Sequence, residues 1–345
     1  MKVIKKYVYE LENNCGIVGF AELVGNKEKQ GVLGKYFRDS VSDDKMGEKT
    51  FEKGERRMLD RVCEMALKRA GLDANDVNLF LGGDLMNQIV STNYVAEHLQ
   101  IPFVGVYSAC STLTASLGVG SLLIESGMSN VLCSAISHFS SAERQYRYPL
   151  EFGNQRQCYS QWTVTAGGAF VLSNNKSDIK ISKVCFGRVQ DYGVLDIANM
   201  GAAMAPAACD TLSVFFDESN TKPQDYDLIA TGDLGKLGSD ILRDLMKRNG
   251  YTLSMEYMDC GHSIYSFDEE SYQGGSGAGC SAAVLSGYIL TKMKEKKFKK
   301  VLIVATGALM STVTNQQGDA IPAVAHLIEL ECCWGEYVWK YVYVC

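Results

Sequence analysis

Residues 101–137 read IPFVGVYSACSTLTASLGVGSLLIESGMSNVLCSAIS. Positions 101–107 are apolar and β-rich, with Pro102 near their start and Ser108 after their end, which predicts a buried strand. Cys110 follows, then Ser111 and Thr112. Positions 113–125 carry apolar residues at helical spacing with small Ala115, Gly118 and Gly120 among them, and Gly127 closes the helix. Positions 131–137 predict a second buried strand. The order is strand, cysteine, buried helix, strand. It sets a thiol at a helix N-terminus, where unpaired N–H groups and the helix dipole favour thiolate. A buried structural cysteine satisfies the same pattern, because free cysteine is among the most buried residue types. The stretch alone leaves both readings open.

Working outward, the chain alternates strands and helices. Positions 51–70 form an amphipathic helix with Met58, Val62, Met65 and Ala66 on one face and Gly71 after its end. Positions 77–81 predict a strand that runs into Gly82-Gly83-Asp84-Leu85, then a helix over 88–99. Positions 25–48 read as a surface excursion and 138–162 as an irregular polar and aromatic segment. Strands follow at 166–172 and 179–189. The second half begins near Asp191, with a helix over 195–216 that Pro206 is expected to kink. Strand 228–230 leads into Thr231-Gly232-Asp233-Leu234. A helix over 239–247, a strand with a turn over 256–267, a glycine-rich loop at 274–279, a helix over 280–294 and strands at 301–305 and 323–330 complete the pattern. This alternation predicts parallel βαβ units with right-handed crossovers.

Internal repetition sharpens the prediction. LFLGGDL at 79–85 is echoed by LIATGDL at 228–234. Cys110-Ser111 is echoed by Cys280-Ser281, and VLCSAIS at 131–137 by VLIVATG at 301–307. The last two echoes share one offset. The chain therefore reads as two copies of one α/β unit, divided as 1–190 and 191–345.

Composition sets outer bounds. The 345 residues are 46% hydrophobic and 21% charged, an ordinary globular balance with ample material for a large core. A net charge of −6 argues against nucleic acid as a partner. No run is apolar and long enough to span a bilayer, and the N-terminus lacks the apolar core of a signal peptide. Twelve cysteines without export signals or regular spacing indicate a reducing, cytosolic compartment. None has zinc-ligand spacing, and neither a cofactor nor a metal is expected.

A duplicated βαβαβ unit with a cysteine at the start of a buried central helix resembles the thiolase superfamily. More narrowly, GGDLMNQIVSTNYVAEHLQIPF, GVYSACST, SHFSSAERQYRYPLEFGNQRQ, QWTVTAGGA, TGDLGKLGSDIL, VLIVATGALMS and QQGDAIPAVAH resemble the stage V sporulation protein AD family of endospore-forming bacteria. The resemblance covers about 59–330. The first fifty residues match loosely, and the tail 331–345 lies outside it. It implies a thiolase-like fold of two tandem halves in a layered α/β/α/β/α arrangement, without demonstrated thiolase activity. It further implies binding of dipicolinic acid, pyridine-2,6-dicarboxylate, and support of its uptake, with calcium, into the developing spore. The implied partners are membrane proteins of the same operon. The implied setting is a homodimer, cytoplasmic and peripheral to the spore inner membrane, with calcium arriving free or as a chelate.

The catalytic positions of the superfamily are poorly met. Thiolases carry a histidine in a Gly-His-Pro turn at the start of the second-half helix, where this chain reads Gly279-Cys280-Ser281. Their second cysteine falls near Val304. Ketoacyl synthases place a histidine where this chain reads Ala230-Thr231-Gly232-Asp233, a position read as lacking a base. Of the four histidines, His98 reads as a helix-end residue and His326 as a core residue. His138, one residue past a strand, and His262, in a turn, are weak base candidates beside Cys110, a vestigial nucleophile. Cysteine-dependent acyl transfer through Cys110 therefore stands as the alternative to ligand binding.

Residues 143–162, ERQYRYPLEFGNQRQCYSQW, hold Arg144, Arg147 and Arg156 together with Tyr146, Tyr148, Phe152, Tyr159 and Trp162. A flat ring bearing two carboxylates calls for planar cations and flat faces. Arg144, Arg156 and Trp162 are the pocket candidates, although a subunit contact explains the same composition. Cys110, His138 and Cys280 join them as candidate ligand residues. So do Asp84 and Asn87, which follow a strand's C-terminal end; Asp84 is equally read as an N-cap. Gly274–Gly279 reads as a phosphate-cradling loop or as close helix packing. Positions 292–300, KMKEKKFKK, read as a solvated helix end or a contact for an anionic membrane surface.

Overall fold

The structure is a computed structural model that describes residues 1–146, 156–266 and 271–333. The tail from 334 and the arginine and aromatics at 147, 148 and 152 fall outside those residues.

Ten strands frame the molecule. Across the sheet they run Tyr257–Asp259, Leu228–Thr231, Lys300–Ala308, Ala323–Cys332, Ile179–Phe186, Gly16–Val24, Ala166–Ser173, Asn130–Ser137, Leu79–Gly83 and Phe103–Gly105. Counted from the middle outward, each set of five takes its strands in the same order: first, fifth, fourth, second, third. Within each set the second strand runs parallel to the third and fourth, and the fifth is antiparallel to its neighbours. The two sets meet at one short pairing, Gly16 with Lys180. All three sequence echoes fall at matching places in this topology. On that count we place the start of the second copy at Ile179, so the strand assigned by sequence to the end of the first unit opens the second.

The layers follow from where the helices bury their faces. Phe51–Ala70 packs Met58, Leu59, Val62 and Ala66 on the outside of the first five strands. Met200–Ser219 and Gly235–Arg248 cover the outside of the second five. Thr112–Glu125 and the helical run that begins at Ala278 lie between the two sheets and are buried on nearly every side. Such a sandwiched helix needs small residues. A Cβ at Gly118 would sit 2.9 Å from Val184 of the second sheet, and one at Gly120 would sit 2.8 Å from Cys133 of the first. The layering is therefore α/β/α/β/α.

Several local expectations change. Residues 138–162 are not wholly irregular: Phe139–Tyr146 is a helix with buried Ser140, Ser141, Ala142 and Glu143. Its eight residues are too short and polar for a clear apolar period. The 256–267 strand is shorter, Tyr257–Asp259, and gives way to the helix Cys260–Ile264, started by the Asp259 side chain accepting from His262 N–H. The helix expected to kink at Pro206 runs through it from Met200 to Ser219, with Asn199 capping its start. The 25–48 excursion is anchored by buried Glu28 and Phe37.

Candidate functional site

Cys110 lies in the single turn Ala109–Ser111 that leads into the first central helix. Ala109 holds a φ of +46°, a region in which non-glycine residues are strained. The surroundings pin it there. Thr112 Oγ1 donates to Ala109 O at 2.7 Å and Ser111 Oγ donates to Ser108 O at 2.7 Å. Ser108 Oγ lies 2.6 Å from Ser111 Oγ and 3.3 Å from His326 Nε2. Gly307 of the facing strand presses on Ser108 O so closely that no Cβ fits. The turn is clamped between both halves.

The nearest ionisable group is an acid. Asp233 sits just past the strand Leu228–Thr231, at the position read from sequence as lacking a base. Its fully buried carboxylate accepts from Gly277 N–H at 2.8 Å, from Thr306 Oγ1 at 3.1 Å and from the Cys110 thiol. Burial pushes its pKa up to about 7 against the pull of those bonds, and neighbouring Asp259 adds to the rise. Glu143, also buried, faces the same cavity and accepts from Thr163 Oγ1 at 2.9 Å. A thiolate here would form beside a carboxylate. A neighbouring like charge opposes the thiolate, whereas a helix N-terminus favours it by about 0.3–1 kcal/mol. The acid and the dipole act on the thiol in opposite directions.

Neither histidine candidate supplies the missing base. His138 is buried; Ser140 N–H donates to its Nδ1 at 3.2 Å, so its Nε2–H donates to Asp44 O at 2.9 Å. Both ring nitrogens are committed away from Cys110, and burial lowers the pKa. His262 lies in the short helix after Asp259, with its backbone N–H on that carboxylate, and its ring is not part of the cavity wall. His326 accepts from Gly187 N–H, and burial lowers its pKa to about 4, so it meets Ser108 as a neutral donor. Cys280 is buried with its thiol on Gly232 O at 3.6 Å; burial first, then neighbouring thiols and carboxylates, hold its pKa well above the ordinary range.

The expected arginine clamp is not at the cavity wall. Arg144 reaches Glu52 at 3.2 Å. Arg156 bonds Gln161 O, approaches Glu143 at 4.0 Å and lies over Trp162. Trp162 stacks on Phe139 with centroids 3.9 Å apart and carries Lys27 at 4.5 Å. These side chains brace the wall from behind. Asp84 is the start of its own helix: it accepts from Met86 N–H, Thr92 N–H and Thr92 Oγ1 at 2.7–2.8 Å. Asn87 does line an open space.

That space has two parts. A cavity of about 40 Å³ touches Cys110, Glu143, Thr163, Ser276 and Met200, room for one or two waters. A bay of about 420 Å³ lies outside it, walled by Asn87, Gln88, Gln145, Leu309, Ser311 and Thr312. Tyr107, Tyr146 and Met310 line both. The two phenol oxygens are 2.8 Å apart, and Tyr146 donates to Leu85 O. Among the described residues the bay offers two tyrosines, three amides and two aliphatic hydroxyls, and no carboxylate lines it. Sequence reading missed Asp233, Glu143 and Tyr107, and named Tyr146 only as one aromatic of the 143–162 segment. The GDL echo had already placed Asp233, but only the fold shows its carboxylate turned toward Cys110.

Comparison with known proteins fits this architecture. Residues 5–331 match the model of the Stage V sporulation protein AD family. Stage V sporulation protein AD of Bacillus subtilis (strain 168) is 40% identical over 336 residues, covering 97% of this chain and 99% of that protein. The chain belongs to the stage V sporulation protein AD family. Among solved structures, 3-oxoacyl-[acyl-carrier-protein] synthase III from Aquifex aeolicus VF5 aligns with a TM-score of 0.55 at 14% identity, over 91% of this chain and 99% of that one. A histidine-to-asparagine variant of OleA from Xanthomonas campestris aligns with a TM-score of 0.60 at 11% identity, over 94% of this chain and 100% of that one. At such identities the likeness is one of fold, and the fold of this sporulation protein AD family member is thiolase-like. No helix among its described residues is long and apolar enough to cross a membrane.

Proposed function

We propose that this member of the sporulation protein AD family binds dipicolinic acid in the bay beside Cys110 and supports its uptake, with calcium, into the developing spore. The observation that carries the reading is the pairing of an unarmed thiol with that bay. Asp233 occupies the place of an activating imidazole, and 420 Å³ of donor-rich, aromatic-walled space opens outside the cavity that holds Cys110. The inner cavity, at 40 Å³, is too small for a pyridine ring, so the ligand sits in the bay and meets Asn87, Gln145, Tyr107 and Tyr146. Carboxylate recognition then falls to neutral N–H and O–H donors rather than to Arg144 and Arg156. In this reading the protein works at the membrane, with integral proteins of its operon supplying the span. It works as a homodimer paired along the exposed edge of Phe103–Gly105, where Val104 and Tyr107 are about half exposed.

Calorimetry with the purified protein tests the binding. Heat of binding in the micromolar range or weaker supports it, and Asn87→Ala together with Tyr146→Phe weakens it. No heat from folded protein removes the proposal. One observation favours the second reading, cysteine acyl transfer: a carboxylate with a pKa near 7 bonded to a thiol at a helix start is a group able to take a proton. Incubation with acyl-coenzyme A and intact mass decides. An acyl adduct on Cys110 favours the enzyme, and an unchanged mass favours the binder.

A further inference from the structure

The molecule carries a net charge of −6, yet one face is basic. It is assembled from two separate segments. The turn at Gly34–Tyr36 brings Lys35 and Arg38 to the surface, and the end of the second central helix and its following turn bring Lys292, Lys294, Lys296, Lys297 and Lys299. Rings tie the two together. Lys292 lies over Tyr36 at 4.9 Å and Lys35 over the same ring at 5.2 Å. Lys294 and Arg38 lie over Phe20 at 4.5 and 5.3 Å. Tyr36 meets Tyr288, and Tyr288 meets Phe298 between the last lysines. Val32, one turn before Lys35, is 56% exposed.

Acids at the face are engaged. Within it Glu295 holds Lys292 at 2.6 Å and Glu22 lies 3.8 Å from Arg38; beside it Asp39 holds Arg69 at 2.7 Å, and Asp227 accepts from the backbone of Lys299 and Lys300. Among the described residues no ion pair joins Lys35, Lys294, Lys297 or Lys299 to an acid. Burial first, then the charge of Arg38 and to a lesser degree that of Arg69, hold the Lys294 ammonium below its ordinary range against the opposing pull of Asp178.

We infer that this face docks the protein on an anionic lipid surface. Charge complementarity selects a negative partner, and an acidic molecule can approach one only through such a face. Residue choice selects lipid over nucleic acid. Six lysines to one arginine give mobile, hydrated point charges suited to a diffuse headgroup layer, not the planar forks that read phosphates and bases. Half-buried Tyr36, Tyr288 and Phe298 with exposed Val32 add the apolar fringe of an interfacial contact. The docking reading goes beyond ligand binding and does not depend on it.

Sedimentation with vesicles of phosphatidylcholine alone, or with phosphatidylglycerol added, tests it on the full chain. Binding is expected only to the anionic vesicles and is expected to fall steeply with salt. Lys35→Glu, Lys297→Glu and Lys299→Glu together are expected to weaken it by about a hundredfold. All three side chains are exposed, and circular dichroism confirms the fold of the variant. Equal binding to neutral vesicles, no binding to either, or a triple variant that binds as before overturns the inference. So does capture of a homopolymeric RNA in preference to the vesicles. Dipicolinate calorimetry on the same triple variant is expected to be unchanged, which keeps the two readings separable.

Discussion

Asp84 and Asp233 occupy the same place in the two copies, after the same Gly-Asp-Leu signature, and they do different work. Asp84 turns back on its own half and holds the start of the next helix through Met86 and Thr92. Asp233 accepts from Gly277 and Thr306 of its own half and, across the molecule, from the Cys110 thiol. Duplication supplied two equivalent carboxylates at the C-terminal ends of strands. One remained a structural cap, and the other became the neighbour of the cysteine in the inner cavity. The lesson is that a repeated motif predicts position, while the partner across the interface decides the role.

The largest test of this contrast is Asp84→Asn. An amide N–H₂ would face N–H donors that now share a carboxylate, so stability is expected to drop by about 3 kcal/mol, read as a lowered denaturant midpoint. Asp233→Asn is expected to cost less, about 1 kcal/mol at neutral pH, because a carboxyl with a pKa near 7 is already half protonated there. Equal losses would erase the distinction.

The pH dependence comes next. A carboxyl whose folded pKa is raised from about 3.9 to about 7 contributes stability that is complete below about pH 4 and is lost as pH rises through 7. Thermal unfolding between pH 5 and 8 is therefore expected to show falling stability. Asp233→Asn is expected to flatten part of that fall, on the order of 2 kcal/mol. Glu28, whose pKa burial also raises to about 7, and Glu55, raised to about 8 by burial and by Asp84, leave a residual slope that Glu28→Gln and Glu55→Gln are expected to reduce.

A smaller effect concerns reactivity. Removing the Asp233 charge is expected to lower the Cys110 pKa by about one unit, so alkylation of Cys110 at pH 8 should accelerate about tenfold in Asp233→Asn. Peptide mapping distinguishes Cys110 from exposed Cys158. No acceleration would show that burial alone, not the carboxylate, disarms the thiol. The smallest expected effect is Tyr107→Phe, which removes the hydroxyl contact with Tyr146 at the neck of the bay. Dipicolinate affinity should fall severalfold, about 1 kcal/mol, with stability unchanged.

Much of the fold was legible because strand–helix alternation and three ordered echoes are local signals. The duplicated α/β unit and the matching places of Cys110 and Cys280 followed from them, while the layered architecture came with the family resemblance. The site was less legible because it depends on which way side chains turn between halves. Arg144 and Arg156 were singled out for their chemistry, yet Glu52, Glu143 and the carbonyl of Gln161 take them. His138 was singled out for its place beside a strand, yet Asp44 and Ser140 use both its nitrogens. Asp233 was overlooked because an aspartate was read as the loss of a histidine, not as a group with its own effect on a thiol. The helix Phe139–Tyr146, which delivers Glu143 and Tyr146, is short and polar and gave no apolar period to detect.

The central helix Thr112–Glu125 has a consequence for assembly of the chain. Gly118 lies against one sheet and Gly120 against the other, so this helix, exposed only around Val119, has no resting place until both sheets exist. A fragment ending after Ser173 would leave its Val184-facing side bare. The copies are thus bound to melt together in one cooperative transition, and neither is an independent folding unit despite the duplicated architecture.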